Sequence, residues 1–202
     1  MSAHRSTNND LRLAGSEELK GIIYDEAQIL ERVEALAERI AADYRELIGE
    51  DRLHAEPPIA VGLLRGAFVF LADLARAMEI PLECDFIHIS SYGRGTEPSE
   101  VKLLKDLDNP ISGRHILVVE DIVDTGGTLD YLIEILEARH PASVKVCSLI
   151  DKTPRREATV NAHYVGFKLD EDAFVVGYGL DYAERYRNLP YIAELNPDSI
   201  GS

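Results

Sequence analysis

Apolar residues recur along the chain at two spacings, one typical of helices and one typical of buried strands. Within residues 25–48 they return every three or four positions, and Gly49 follows where a C-cap glycine belongs. This spacing predicts one long amphipathic helix packed on the body of the protein. Its apolar face is expected to consist of Ile29, Val33, Leu36, Ile40 and Leu47.

The middle of the chain predicts strands and helices in alternation. Residues 59–64 (IAVGLL) form a nearly continuous apolar run, which is typical of a strand covered on both faces. The order strand, helix, strand is typical of a parallel sheet with crossover helices. We therefore expect an α/β fold with an open, doubly wound, mostly parallel sheet that binds ligands at the carboxyl ends of its strands. The predicted strands cover 59–64, 82–90, 115–119 and 144–150, and the predicted helices cover 67–78 and 128–139.

Three segments fall outside this alternation. Residues 1–16 are polar and without periodicity, and we expect them to form a mobile N-terminal tail. Residues 91–100 (SYGRGTEPSE) predict a mobile loop between strands, of the kind that often acts as a lid. After residue 151, short strand-like pieces at 163–167 and 174–177 are separated by turns, which predicts a small subdomain over the sheet edge.

Composition and charge restrict the class of partner. The chain has 202 residues, with 36 acidic and 21 basic side chains and a formal net charge of -15. Such a surface repels phosphate backbones, which disfavours a general nucleic-acid binder but allows one small site for a phosphorylated ligand. No apolar run is long enough for a membrane span or a secretory signal, so we expect a cytoplasmic protein without membrane contact. Cys84 and Cys147 lie in strand-like stretches, and we expect both to be small core residues.

The segment with the most informative chemistry is 116–129, ILVVEDIVDTGGTL. An apolar strand leads into two acids, Glu120 and Asp121, and a Thr-Gly-Gly-Thr turn then precedes a helix. Glycines let the backbone approach a ligand closely and the positive end of a helix attracts anions, so residues 124–128 predict a phosphate site. Carboxylates beside a phosphate repel it unless a metal ion or sugar hydroxyls also bind there. A sugar 5-phosphate would satisfy both halves of the segment.

Two other interpretations of this segment stay open and two are excluded. Glycine-rich turns between a strand and a helix are common in α/β proteins that bind nothing there. The acid pair also resembles the pocket of phosphoacceptor receiver domains, although that pocket normally closes the first strand of its domain and these acids follow at least two strands. A Walker phosphate loop is excluded because no Gly-Lys-Ser/Thr follows the glycines, and a dinucleotide fingerprint because G-x-G-x-x-G is absent.

Several motifs together resemble one enzyme family. The run V-V-E-D-I-V-D-T-G-G-T-L resembles the 5-phosphoribosyl-1-pyrophosphate (PRPP) signature of the type I phosphoribosyltransferases. Further matches are L-L-R-G-A at 63–67, S-S-Y-G at 90–93, D-K-T-P-R-R at 151–156 and F-V-V-G-Y-G-L-D-Y at 174–182. Together they resemble the hypoxanthine(-guanine) branch. The resemblance implies a single domain over 17–202, with a small hood subdomain formed by the C-terminal part and N-terminal segments.

The resemblance assigns the PRPP contacts to the acidic segment. Glu120 and Asp121 are implied to bind the ribose hydroxyls, directly and through Mg²⁺. Asp124 is implied to be the general base at purine N7, which becomes acidic when N9 attacks the sugar carbon. The loop implied to hold the 5-phosphate consists of Asp124, Thr125, Gly126, Gly127 and Thr128.

The purine contacts are assigned to the later motifs. Lys152 is implied to donate to O6 of hypoxanthine or guanine, because an ammonium group finds no acceptor in the amino group of adenine. Phe174 is implied to stack on the purine and the backbone of Val175 to contact its edge. Asp181 is implied to lie near the base and a second Mg²⁺, so that the implied metal-binding residues are Glu120, Asp121 and Asp181.

Cations and a lid are assigned to the leaving group. Arg65 and Gly66 match the pyrophosphate loop of the family, and Arg187 matches a second pyrophosphate contact. Ser91 and Tyr92 match the dipeptide that closes the lid over an oxocarbenium-like transition state and keeps water from it.

The activity implied by the resemblance is purine salvage. Hypoxanthine, and also guanine, would react with PRPP to give the nucleoside 5-monophosphate and pyrophosphate, with Mg²⁺ as the cofactor, small molecules as the only substrates and a homodimer or homotetramer as the assembly. The alternative is a regulator of pyrimidine genes that has the same fold and binds RNA. The net charge of -15 and the absence of a basic stripe disfavour that alternative.

Overall fold

Nine strands and four helices make up the part of the chain that the structure, a computed structural model, describes: residues 18–92, 100–159 and 161–196. In chain order they are β1 (Leu19–Tyr24), α1 (Glu26–Ile48), α2 (Glu50–Leu53), β2 (Ile59–Leu64), α3 (Phe68–Ala77), β3 (Glu83–Tyr92), β4 (Glu100–Lys105), β5 (His115–Val123), α4 (Gly127–Glu137), β6 (Ser143–Lys152), β7 (Tyr164–Leu169), β8 (Val175–Val176) and β9 (Ile192–Leu195).

Six strands form the central sheet, in the order β4-β3-β2-β5-β6-β7. β2 pairs in parallel with both β3 and β5, and β5, β6 and β7 continue the parallel arrangement. Only β4 at the edge is antiparallel within this sheet. This confirms the predicted α/β fold with an open, mostly parallel sheet. The chain passes from β2 to β3 on one side and returns to β5 on the other, so the carboxyl ends of β2 and β5 form the topological switch point where such sheets bind ligands.

The long helix is present as predicted, and α1 packs against α3 and β7. Asp25 caps its first turn, because its Oδ1 accepts the N–H of Gln28 while the Gln28 side chain accepts the N–H of Asp25. The prediction was wrong for Leu47, which is 45% exposed. Tyr44 and Ile48 complete the buried face instead, and Leu47 is rotated about 100° from Ile48 on the helix.

The two cysteines differ in their environments. Cys147 is buried in β6, as expected, but Cys84 is exposed and the expectation of a core position was wrong. Cys84 pairs with Ala60 of β2 on one side, whereas β4 pairs with β3 only from His88 onward. The start of β3 therefore lacks a neighbouring strand on its outer side.

Two strands extend further than the apolar pattern indicated. β5 continues from the predicted end at residue 119 to Val123, so Glu120 and Asp121 lie within the strand and not after it. β3 continues to Tyr92, whose backbone pairs with Glu100 of β4, and this removes the ends of the predicted lid loop. The rest of that loop and the predicted tail (1–16) lie outside the described residues.

A second, small sheet joins the two ends of the described chain. Its strands are antiparallel and lie in the order β1-β9-β8. One face contributes to a separate apolar cluster that includes Leu19, Ile22, Val176, Tyr191 and Leu195. Among the four helices of the described residues, none is both long and apolar enough to cross a membrane.

Candidate active site

The loop after β2 and the acids of β5 meet at the switch point. Gly66 lies directly against Asp121, and a Cβ atom on Gly66 would lie 1.7 Å from Asp121 Oδ2. Only glycine allows this approach, because any side chain would displace the carboxylate. The loop begins at a cis peptide bond between Leu64 and Arg65. The structure thus brings together two sequence motifs that are more than fifty residues apart.

The paired acids are neighbours in β5, with Glu120 beside the turn that precedes α4 and Asp121 against Gly66. Burial raises the pKa of Glu120 well above its usual range, and the charge of Asp121 adds to the shift. Burial also raises the pKa of Asp121 to about 6, although the N–H of Ile122 and the nearby Arg187 act in the opposite direction. Glu120 Oε2 is buried and has no hydrogen-bond partner among the described residues. A cation or a hydrogen-bond donor bound beside these carboxylates would therefore offset the free-energy cost of burying them.

The turn between β5 and α4 encloses a cavity of about 110 Å³. Gly126 adopts φ +88°, in the left-handed region, and is the N-cap of α4 without a side-chain cap. The N–H groups of the first helical turn therefore remain available to an anion in the cavity. The cavity is lined by Glu120, Ile122, Val123, Asp124, Thr125, Gly126, Thr128 and Leu129.

Gly127 differs from its neighbours in this loop. It is the first residue of α4, and a Cβ atom placed on it would meet no atom within 4 Å. A side chain at this position would therefore extend into open space, and the backbone donors of the loop do not require a glycine here.

Arg156 donates hydrogen bonds to the start of the loop that is predicted to bind phosphate. Its Nε donates to the carbonyl of Asp124 at 3.0 Å and its Nη2 to the carbonyl of Val123 at 3.1 Å. The same guanidinium forms an ion pair with Asp151, and both side chains are largely buried. The N–H groups of Glu157 and Ala158 both donate to the carbonyl of Thr125, each at 3.0 Å. No role for Arg156 was predicted from the sequence, where it is the last residue of the motif at 151–156.

Lys152 is a buried cation at the end of β6. Its side chain is 6% exposed, and Nζ lies 2.7 Å from Asp172 Oδ1. Asp151, the residue before it, pairs with Val123 across the two strands, which places Lys152 next to the start of the phosphate loop. This contact between Lys152 and Asp172 has no signal in the sequence, because the two residues are not part of one motif.

Asp124 has one free oxygen and one weakly paired oxygen. Oδ2 lies 3.4 Å from Arg155 Nη1, and Oδ1 is buried without a hydrogen-bond partner in the described part of the chain.

Phe174 is 50% exposed and forms a T-shaped ring contact with Tyr182 at a centroid distance of 5.7 Å. Val175 follows it in β8, where it is buried and pairs with Glu194.

Two arginines, Arg65 and Arg187, form a cluster with two acids, Asp181 and Glu184. Arg187 Nη2 lies 2.8 Å from Asp181 Oδ1, and Arg187 Nη1 donates to the carbonyl of Gly179 at 2.7 Å. Arg65 Nη2 lies 2.5 Å from Glu184 Oε1. Gly179, with φ +99°, would place a Cβ atom 2.2 Å from the carbonyl oxygen of Gly66, so this cluster and the loop after β2 are in direct contact.

The predicted lid residues can be placed only by their backbone. Ser91 and Tyr92 end β3, opposite Val101 and Glu100 of β4, at the carboxyl end of the sheet. The other residues of the predicted lid, 93–99, are not among those described.

The donor set is compatible with Mg²⁺. Within residues 18–92, 100–159 and 161–196 there is no cluster of three or more His, Cys, Asp or Glu side chains that could hold a metal alone. Mg²⁺ is commonly bound by one or two carboxylates together with substrate phosphates and water, and the buried oxygens of Glu120 and Asp121 fit that role.

Comparison with known proteins identifies the family. Residues 24–183 match the family described as phosphoribosyl transferase domain. A hypoxanthine-guanine phosphoribosyltransferase of Bacillus subtilis is 45% identical over 181 residues, covering 89% of this chain and 95% of the relative. A hypoxanthine phosphoribosyltransferase of Escherichia coli K12 is 46% identical over 175 residues, covering 86% of this chain and 94% of the relative.

A solved structure supports the same assignment. The crystal structure of a hypoxanthine phosphoribosyltransferase from Staphylococcus aureus superposes with a TM-score of 0.85 at 38% identity, covering 96% of this chain and 100% of the other. The chain therefore belongs to the phosphoribosyltransferase family, in the branch of the hypoxanthine and hypoxanthine-guanine phosphoribosyltransferases.

Proposed function

We propose that this protein transfers the phosphoribosyl group of PRPP to N9 of a 6-oxopurine, hypoxanthine and also guanine, with release of pyrophosphate. The observation that carries the proposal is the convergence of three different sites at the switch point. An anion-binding loop, a pair of buried acids and a pair of arginines lie at the carboxyl ends of β2 and β5. PRPP has a phosphate, a diol and a diphosphate in the corresponding order.

The phosphate and the ribose bind to β5 and the turn after it. The N–H groups and hydroxyls of residues 124–128 donate to the 5-phosphate, while Glu120 and Asp121 accept from the ribose hydroxyls. Glu120 and Asp121 would hold one Mg²⁺ together with substrate oxygens, and Asp181 would lie beside a second Mg²⁺ that carries the diphosphate. The metal would supply positive charge that offsets the charge developing on the leaving group. Arg156 donates to the carbonyls of Val123 and Asp124, which fixes the start of the loop. The backbone N–H groups of the loop are therefore oriented before the ligand binds.

The purine binds between Lys152, Phe174 and Asp124. Lys152 donates to O6, Phe174 covers the ring and the backbone of Val175 contacts its edge. Asp124 Oδ1, buried without a partner among the described residues, accepts the N7 proton as N9 attacks the anomeric carbon. The proton moves from N7 to this carboxylate while the bond between the anomeric carbon and the diphosphate breaks.

The diphosphate leaves towards the arginine cluster. Arg65 and Arg187 donate to its oxygens, and the backbone of Gly66 approaches the same group beside Asp121. Ser91 and Tyr92 close the site against water, which otherwise would capture an oxocarbenium-like sugar.

Lys152→Gln is expected to weaken selection against 6-aminopurines. A glutamine amide can donate to O6 or accept from a 6-amino group, whereas the ammonium only donates. We expect the ratio of kcat/KM for hypoxanthine to that for adenine to fall by at least about 10-fold, because a site that pairs a polar substituent rejects its replacement by large factors. Steady-state kinetics of both bases measure the ratio. Lys168→Gln, an exposed position in β7, is the control and should leave it unchanged; equal ratios for both variants would refute the role of Lys152.

A comparison of four bases tests the proposed activity itself. With PRPP and Mg²⁺, hypoxanthine and guanine should give the monophosphates, and adenine should not. Turnover of xanthine would show whether the base site also accepts a purine with a second oxo group. Tight, salt-sensitive RNA binding without turnover of any base would instead support the RNA-binding regulator.

We also propose that the chain self-associates and acts as one domain from residue 17 to 202, with the small sheet as the hood. An apolar cavity of about 380 Å³ beside α1 and α3 supports self-association, since Leu30 and Phe68 are each 44% exposed at its rim. Light scattering should give the mass of a dimer or tetramer, and Leu30→Glu should lower it to that of a monomer. A wild-type monomer would contradict this proposal. The cytoplasmic location stays a prediction.

A further inference from the structure

Both arginines of the proposed pyrophosphate site are in contact with a single glutamate. Oε1 of Glu184 lies 2.5 Å from Arg65 Nη2, and Oε2 of Glu184 lies 3.5 Å from Arg187 Nη2. The two oxygens of one carboxylate therefore face two guanidinium groups from different loops. This is the pattern of donors that an oxygen pair of a diphosphate would also meet.

The backbone around Glu184 directs its side chain to this place. Asp181 Oδ2 accepts the N–H of Glu184 at 2.8 Å, which fixes the turn between the two residues. Ala183, Glu184 and Tyr186 have φ values of 49°, 66° and 77°. Such left-handed conformations are uncommon for residues other than glycine, and where they cluster the surrounding contacts determine them. The segment therefore fixes the backbone of Glu184 beside the two arginines, while the side chain itself is exposed to solvent.

The charges of the cluster cancel in the ligand-free protein. Arg65 and Arg187 are balanced by Asp181 and Glu184, so an incoming diphosphate meets no net positive charge until one acid moves. Asp181 is tied to Arg187 and to the backbone of the turn, whereas the Glu184 side chain is 57% exposed. Glu184 can rotate into water without leaving a buried charge unpaired, and it is the group that moves.

We propose that Glu184 is an internal competitor for the pyrophosphate site: its carboxylate occupies the place of diphosphate oxygens when the site is empty and is displaced when PRPP or pyrophosphate binds. This inference rests on the proposed roles of Arg65 and Arg187. Because the competitor is part of the chain, it is present at every turnover. Its return to the arginines promotes the departure of pyrophosphate, at the cost of weaker binding of both diphosphate ligands.

Glu184→Gln is expected to bind pyrophosphate about 3- to 10-fold more tightly than the wild type. Exposed ion pairs are individually weak, and the substitution removes two of them from the ligand-free state, so the expected gain in affinity is modest. The measurement is calorimetric titration of inorganic pyrophosphate into the full-length protein at saturating Mg²⁺. Product inhibition by pyrophosphate should become stronger, and the KM for PRPP should fall, by the same factor.

A matched control comes from an equivalent pair elsewhere in the chain. Glu56 pairs with Arg52 at 2.5 Å, and both side chains are exposed in the same way, far from the site. Glu56→Gln should leave the affinity for pyrophosphate unchanged. If both glutamine variants shift the affinity equally, the effect is one of net charge and the inference is overturned.

Arg65→Gln separates the inference from the function on which it rests. It should weaken pyrophosphate binding, and in its background Glu184→Gln should lose most of its effect because the two residues are coupled. Unchanged affinity in Arg65→Gln alone would overturn the proposed role of Arg65. Weaker affinity in Arg65→Gln together with unchanged or weaker affinity in Glu184→Gln would overturn the competition while the proposed pyrophosphate site stands.

Discussion

Asp124→Asn should lower kcat with hypoxanthine by about 10²-fold or more, the range that a positioned general base contributes. Asparagine has the shape of aspartate but does not accept the N7 proton. The loop that contains it should keep its conformation, because Arg156 holds the main-chain carbonyls of Val123 and Asp124 and not the side chain. The dissociation constant of PRPP should therefore change little while the chemical step slows. Single-turnover kinetics and PRPP titration measure the two quantities separately.

The control for this substitution is Asp51→Asn. Asp51 is an exposed acid in α2 and contacts no residue of the candidate site. It should keep the wild-type kcat. An Asp124→Asn variant with full turnover would remove Asp124 from the mechanism, and one that loses PRPP affinity as well as turnover would show that this carboxylate binds the ligand.

Asp121→Asn should lower turnover strongly and make the ligand-free protein more stable. Burial raises the pKa of Asp121 from its usual value of 3.8 to about 6, so the ionised carboxylate opposes folding at neutral pH. A shift of roughly two units corresponds to about 2–3 kcal/mol. Asparagine removes the charge and can still accept the N–H of Ile122, which Oδ1 of Asp121 accepts at 2.9 Å. Chemical denaturation without ligands should show a higher free energy of unfolding at pH 7.5, with kcat reduced by at least about 10²-fold.

The pH dependence gives the sign of this effect. The folded protein holds the proton of Asp121 more tightly than the unfolded chain does, so the carboxylate lowers stability as the pH rises from about 4 to about 6. The advantage of Asp121→Asn should be full above pH 6 and should vanish near pH 4. Asp51→Asn should differ from the wild type by less than about 0.5 kcal/mol at both values. An advantage that is the same at pH 4 and pH 7.5 would show that the charge of Asp121 is not its cause.

The innermost strands of the central sheet, β2 and most of β5, could be predicted because they are buried on both faces. Runs such as residues 59–64 have no polar interruption, so their boundaries follow from hydropathy alone. The same criterion fails at Glu120, where β5 continues through polar residues that the site requires. It also fails for β1 and β4, whose sequences LKGIIY and EVKLLK mix charged and apolar positions. Their strand pairing depends on partners far away in the chain.

The site could be predicted where one short motif contains several of its residues. The segment 120–128 includes both acids and the loop predicted to bind phosphate, and all of these residues lie at the carboxyl end of β5. Arg156 and Glu184 were not identified, because each acts through a contact that no local spacing indicates. Glu184 meets Arg65 at a separation of 119 residues. An arginine or a glutamate on a loop is most often solvated, and only the fold shows which ones meet a partner.

With Phe174 and Val175 in their proposed roles, the small sheet links the purine site to both ends of the described chain. β8, which follows Phe174 directly, is paired only with β9, and β9 in turn is paired with β1. Deleting β1 would remove the strand that pairs with β9, and β9 is the strand that pairs with β8. The turn between β5 and α4, which is proposed to bind the phosphate, belongs to the other sheet region and would keep its own contacts. Under the proposed roles, substitutions in β1 or β9 are expected to change base selectivity more than the binding of the sugar donor.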